Sequence, residues 1–220
     1  MPDRTCGLLL TGGSSRRMGT DKAVLRLEEG LQTFAAHSGA LLAAAVDPAP
    51  ALEVGPGVSG LRALTEAKPG EGPLLAALAG RHELEQLGEH GHVLVLATDL
   101  PLLTGELLGW LVSRPEQVSV VPVVDGFEQP LCARWSPVAF ERALELGAAG
   151  ERSLRAVFEP DALRADESAW CTVATVPVWT DVDDMVALEQ ARSWHRANSG
   201  RSVGNRSANN RSANNRSAGN

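Results

Sequence analysis

The chain is expected to fold as one α/β domain of Rossmann-like, three-layer form, with a mostly parallel sheet and a small hairpin. Three observations predict this. Strand-like and helix-like segments alternate over the first 200 residues. The strand-like segments are short continuous apolar runs, the pattern of strands buried on both faces. The length, 220 residues, suits one domain better than two. Alternating units give a sheet with helices on both faces, and ligands bind beyond the carboxyl ends of its strands.

The elements follow in order. Residues 5–11 (TCGLLLT) form an apolar run that ends in glycines, a buried strand. Residues 31–45 are rich in Ala and Leu and read as a helix. ALEVGP at 51–56 is a short strand closed by Gly-Pro. Pro73 opens a helix to about residue 87, because proline is tolerated in a first turn. HVLVLAT at 92–98 is the clearest buried strand. Thr104 caps a helix to about Arg114. VSVVPVV at 118–124 is a strand that Asp125-Gly126 turns toward PLCARW at 130–135, its expected hairpin partner. Ser136-Pro137 starts a helix to about Leu146, and a last helix runs from near Asp183 to about Ala197. Residues 201–220 repeat RSxxN with Val203 as the only large apolar residue, too polar to bury a core. They are expected to be a disordered tail, which leaves residues 1–200 as the domain.

Composition narrows the function classes. Net charge is −7, and four arginines lie in the tail, so the rest of the chain is more acidic still. General attraction to nucleic acid or to a membrane surface is therefore not expected. Cys6, Cys132 and Cys171 are far apart and make no C-x-x-C pair, so neither a zinc site nor a disulfide framework is expected. No apolar run has the length of a membrane span, and the first residues lack a cleavable signal pattern, so a cytoplasmic location is expected.

After the first strand comes Gly12-Gly13-Ser14-Ser15-Arg16-Arg17-Met18-Gly19-Thr20-Asp21-Lys22. Glycines let backbone N–H groups approach phosphate oxygens closely. Ser14 and Ser15 add hydroxyl donors, and Arg16, Arg17 and Lys22 add positive charge. The segment has the chemistry of a triphosphate cradle, yet it is neither G-x-x-x-x-G-K-[ST] nor G-x-G-x-x-G. Basic residues are almost all arginine, the only lysines being Lys22 and Lys68. A compact ammonium that follows a moving phosphate charge is a reason for lysine at 22.

LLTGGSSRRMGTDKA resembles the signature loop of the sugar-nucleotide-transferase-like fold, L-x-G-G-x-S-x-R-M-G-x-D-K. GPLLAALAG at 72–80, LATDLPLL at 96–103, EQPLCARW at 128–135 and DVDDMVAL at 181–188 follow in the family's order. Within that superfamily the chain is similar to the molybdenum cofactor guanylyltransferases. The resemblance implies a fold of nucleotide-diphospho-sugar transferase type. It also implies transfer of a nucleoside monophosphate from GTP to the phosphate of molybdopterin, with release of pyrophosphate. Mg²⁺ is the implied cofactor, with Mn²⁺ as a substitute, and molybdoenzymes or other cofactor-biosynthesis proteins are the implied protein partners. By the same resemblance Leu10, Thr11, Gly12 and Gly13 touch base and ribose, and Arg17 and Lys22 hold the phosphates. Glu66 corresponds to an acid that contacts the nucleotide, and by position alone it reads equally as a solvated loop acid. Thr11 departs from the family's usual alanine, and LRLEEGLQTF lacks its customary compact turn.

The carboxylates complete the expected site. Asp99 ends the strongest strand and so lies over the ligand crevice. Mg²⁺ favours one or two carboxylates plus phosphate oxygens, and the resemblance puts the metal ligand at Asp99. Asp181, Asp183 and Asp184 precede the last helix. One is read as its N-cap, and another, Asp183, as a second metal ligand. Two alternatives stand beside the guanylyl reading. One is a cytidylyltransferase or other NTP transferase of the same fold with a different base or acceptor, and the other is a non-catalytic nucleotide- or partner-binding protein.

Overall fold

The computed structural model describes residues 4–12, 22–65, 70–154, 156–158 and 160–199. The expectations for Gly13, Ser14, Arg17 and Glu66, and for the 201–220 tail, lie outside the described residues.

The strands are β1 (Cys6–Leu10), β2 (Ala51–Val54), β3 (Arg62–Leu64), β4 (Val93–Ala97), β5 (Val120–Val124), β6 (Phe127–Glu128), β7 (Cys132–Trp135) and β8 (Leu163–Ala165). The helices are α1 (Phe34–Val46), α2 (Pro73–Gln86), α3 (Gly105–Val112), α4 (Pro137–Ala148), α5 (Glu167–Trp170) and α6 (Met185–Ser199), with 3-10 turns at Lys22–Val24 and Val176–Trp179. They form one sheet of order β3-β2-β1-β4-β7-β5-β6, with β8 beside β5. β3, β2, β1 and β4 run parallel, and β7 runs antiparallel to both β4 and β5.

Alternation along the central strands explains the layers. Leu8 and Leu10 of β1 and Val93 and Val95 of β4 pack on one face with Leu74, Ala77 and Leu84 of α2 and Phe140 and Ala143 of α4. Leu9, Leu94 and Leu96 point to the other face, onto Leu42 and Val46 of α1 and Leu107, Leu108 and Leu111 of α3. Side chains in a strand alternate between faces, so a strand covered on both sides must be apolar at every position. Gly80 lets α2 lie close to the sheet, since a Cβ there would stand 2.7 Å from the Leu8 side chain.

The caps expected at Thr104 and Ser136 are present, and Thr33 caps α1 in the same way. Thr33, Thr104 and Ser136 accept from Ala36 N (3.2 Å), Leu107 N (3.4 Å) and Ala139 N (3.1 Å). Each such cap contributes about 1 kcal/mol. The hairpin differs from expectation in its partner. Asp125 and Gly126 take positive φ, 51° and 81°, and join β5 to the two-residue β6. β7 pairs over four residues with β4 and at one position with β5. Its Cys132, Ala133 and Trp135 are fully buried, and a central place in the sheet covers both of its faces. Among the described residues no helix is long and apolar enough to cross a membrane.

Candidate active site

The parallel register brings three strand ends together. Leu10, the last residue of β1, is level with Val54 of β2 and Ala97 of β4. Thr11-Gly12, the turn after Val54 and Asp99 therefore leave the sheet at one edge, where an open α/β sheet binds its ligands.

Lys22, Asp99 and the acids before α6 meet at this edge. Lys22 Nζ donates to Asp183 Oδ1 and lies 4.0 Å from Asp181 Oδ1. The lysine side chain is 17% exposed and the two aspartates 51% and 54%, so the ammonium is the inner partner. The acidic segment is tied to the end of β4, because Val182 N donates to the Asp99 carbonyl at 2.9 Å. Val182 is itself buried with Leu27, Phe34, Leu102 and Leu188.

The electrostatics are unbalanced. Burial pushes the Asp99 carboxyl up, and the nearby Asp183 charge adds to this, while Lys22 pulls it down. Burial and the charges of Asp99 and Asp183 raise Asp181 to about 6, against Lys22. Three carboxylates thus bear on Lys22, an arrangement that a divalent cation would relieve. Mg²⁺ takes one or two carboxylates together with phosphate oxygens, and Asp99 and Asp183 are the carboxylates that this edge of the sheet presents beside Lys22.

Of the residues expected from sequence, Lys22, Asp99 and Asp183 are brought together. Asp184 is the helix cap, its Oδ1 accepting from Val186 N (2.9 Å) and Ala187 N (2.8 Å). Leu10 points into the core, which leaves its main chain for any ligand contact. Gly12 is exposed beside Thr11, whose side chain is buried. The two buried thiols are not activated. Burial, with the Glu89 charge, pushes Cys6 up to about 12, and burial also raises Cys132.

Glu53 is a further residue at this edge that no sequence motif marks. Its side chain lies on β2 and is fully buried. Its Oε1 accepts from Thr11 Oγ1 (2.7 Å), Gly57 N (2.7 Å) and Val58 N (3.0 Å), and its Oε2 from Ser59 N (2.8 Å) and Ser59 Oγ. Burial alone would raise this carboxyl, but the bonds from Ser59 and Thr11 outweigh it and hold it below its ordinary value. The available signal was a lone Glu inside a strand, followed by the turn GPGVS that supplies N–H donors. A depressed carboxyl stabilises the fold above its unfolded-state value, and that stability is lost as pH falls through the folded-state value. Glu53→Gln is therefore expected to cost about 3 kcal/mol at pH 7. The cost should shrink at pH values below the folded-state pKa. Urea unfolding of both proteins from pH 7 into that acid range checks this, and an equal cost throughout would contradict it.

An acidic α/β protein with a glycine loop after β1 and a lysine–carboxylate cluster beyond β4 has the form of a phosphoryl-handling transferase. The MobA-like NTP transferase domain family matches residues 7–167. A probable molybdenum cofactor guanylyltransferase of Mycobacterium tuberculosis (strain ATCC 25618 / H37Rv) is 35% identical over 171 residues, 72% of this chain and 81% of that protein. One from Mycobacterium avium (strain 104) is 34% identical over 160 residues, 70% of this chain and 80% of that protein. The fold resembles molybdopterin-guanine dinucleotide biosynthesis protein A from Archaeoglobus fulgidus, with a TM-score of 0.68 at 17% identity over 88% of this chain and 100% of that one. The chain belongs to the MobA-like NTP transferase family and is a nucleotidyltransferase.

Proposed function

We propose that the protein transfers GMP from GTP to the phosphate of molybdopterin and releases pyrophosphate, with Mg²⁺ as cofactor and Mn²⁺ as a substitute. The observation that carries this reading is the cluster of Lys22, Asp99 and Asp183 over the carboxyl ends of β1 and β4. The relatives' names supply the base and the acceptor.

In this reaction an oxygen of the molybdopterin phosphate attacks the α-phosphorus of GTP. The bond from that phosphorus to the bridging oxygen of the β-phosphate breaks, and its electron pair leaves with pyrophosphate. The acceptor phosphate is already ionised at neutral pH, so no side-chain nucleophile is required. Positioning and charge neutralisation supply most of the rate. When bound, Mg²⁺ supplies charge neutralisation at the phosphates and the leaving group. Asp99, with Asp183, would hold it. Lys22 binds phosphate oxygens as charge builds on the leaving group. An incoming triphosphate competes with Asp183 for Lys22, and the carboxylate so released would be available to the metal. The main chain at Leu10, Thr11, Gly12 and Gly13 contacts base and ribose, Ser14 and Arg17 add donors to the phosphates, and Glu66 completes the nucleotide contacts.

Thermal unfolding tests the nucleotide assignment. A ligand that binds only the folded state stabilises it by about 2.7 kcal/mol at a hundredfold excess over Kd. GTP with Mg²⁺ is expected to raise Tm more than ATP, CTP or UTP at the same concentration. Equal shifts for all four would remove the guanine assignment, and a larger shift with CTP would make the protein a cytidylyltransferase.

A further inference from the structure

The structure contains a buried polar device that the proposed chemistry does not use. Glu53 joins two segments that leave the sheet side by side, the start of the first loop at Thr11-Gly12 and the turn at Gly57–Ser59. Thr11 and Gly12 also lie directly against Gly55, which leads into that turn. A Cβ at Gly55 would stand 2.0 Å from Thr11 Oγ1 and 3.1 Å from Gly12 N, so any side chain there would force them apart. Thr11 N also donates to Val54 O at 3.1 Å.

The division of labour between the two carboxylate oxygens is informative. Oε2 is bonded to Ser59 alone, through its N–H and its hydroxyl. Oε1 takes Thr11 Oγ1 together with Gly57 N and Val58 N, so one atom ties the loop to the turn. A turn alone could be closed by its own backbone. Burying a carboxylate to close it is costly unless the carboxylate is fully hydrogen-bonded, and here five donors satisfy it. The arrangement is rigid because every donor comes from a fixed main chain or from a side chain that is itself buried, Thr11 at 5% and Ser59 at 7% exposure.

We infer that Glu53 and Ser59 are positioning residues for the nucleobase end of the site: acting through the Thr11 hydroxyl, they hold the first loop and the 57–59 turn at one spacing, and that spacing sets which base is accepted. This rests on the reading that Leu10–Gly13 contact base and ribose. Anything that fixes the main chain at Thr11 then fixes the donors and acceptors offered to the base. A misplacement of about 1 Å is enough to lose much of a site's selectivity.

The test uses the full chain and three variants. Thr11→Val keeps the shape of the side chain but removes the hydroxyl, Thr11→Ser keeps the hydroxyl, and Ser59→Ala removes one donor to Oε2. GTP and CTP affinities are measured by calorimetry with Mg²⁺, kcat and KM are measured with molybdopterin, and Tm is recorded for each. Thr11→Val is expected to weaken GTP binding about tenfold and to narrow the preference for GTP over CTP by a similar factor. KM should rise accordingly, with kcat within about twofold. Thr11→Ser should return affinity and preference to within about twofold of the unaltered protein, and Ser59→Ala should shift both in the direction of Thr11→Val by a smaller factor. The inference is overturned if Thr11→Val or Ser59→Ala lowers Tm while affinity and preference stay unchanged, because the network would then serve only stability. It is equally overturned if Thr11→Ser fails to rescue. Should Thr11→Val not fold, Ser59→Ala and Thr11→Ser decide by the same criteria. A wild-type protein that binds none of the nucleotides would overturn the nucleotide reading itself, which is a different result from a wild type that binds GTP and variants that bind it equally well.

Discussion

Asp99→Asn is expected to lower turnover by about a hundredfold or more and to leave the fold intact. A carboxylate that holds a catalytic divalent cation contributes several kcal/mol of charge stabilisation in the transition state, and about 3 kcal/mol is a hundredfold in rate. The structural cost should be small. The contact that ties this position to the 181–184 segment is made by the Asp99 main-chain carbonyl, which accepts from Val182 N and survives the substitution. Burial already disfavours the charge on the side chain, so its removal should not lower Tm. The Asp99 charge also helps to raise Asp181 to about 6, so in the variant Asp181 should titrate lower, as NMR can follow. Activity at half the normal rate or better would show that Asp99 is not the principal metal ligand.

Lys22→Ala is expected to reduce kcat/KM by about ten- to hundredfold. A charge-assisted bond to phosphate contributes about 1.5–3 kcal/mol, which converts to that factor. How the loss divides locates the interaction. If Lys22 meets the phosphates as charge builds on the leaving group, kcat falls and binding changes little. If it holds the bound triphosphate equally well, the loss appears in KM. The substitution also removes the ammonium that offsets Asp99 and Asp181, so both carboxyls should move further up. Lys22→Arg keeps charge but not compact geometry, and it should recover binding more than turnover. The other lysine, Lys68, lies in the Pro/Gly-rich stretch AKPGEGP, and Lys68→Ala is expected to change kcat/KM by about twofold at most. Full activity in Lys22→Ala would show that Lys22 does not act on the phosphates in this reaction.

What could be read from the sequence follows physical lines. β1 and β4 were legible because burial on both faces demands an unbroken apolar run, and HVLVLAT has no other economical reading. Helices α2, α3 and α4 were legible from Pro73, Thr104 and Ser136-Pro137, since caps and first-turn prolines act locally. β3 and β8 were not. Each has three residues and includes an exposed arginine, Arg62 or Arg164, so neither carries a periodic apolar signal. The Asp125-Gly126 turn is legible because its chemistry is local, whereas the pairing of β7 with β4 depends on tertiary covering that no short window contains. At the site, Lys22 and Asp99 stood out by position, one after a glycine loop and one at a strand end. Which aspartate caps α6 was decided by geometry, in favour of Asp184. Glu53 was hidden because one acid in a short strand reads as a solvent-facing residue. What makes it unusual is a hydroxyl 42 positions away at Thr11.

Pyrophosphate release from each of the four nucleoside triphosphates, measured with Mg²⁺ and with or without molybdopterin, tests the proposed reaction most directly. Rapid release from GTP that requires molybdopterin is expected, with slower release from ATP, CTP and UTP. Release from none of the four in the presence of molybdopterin, or faster release from CTP than from GTP, would contradict the proposed reaction.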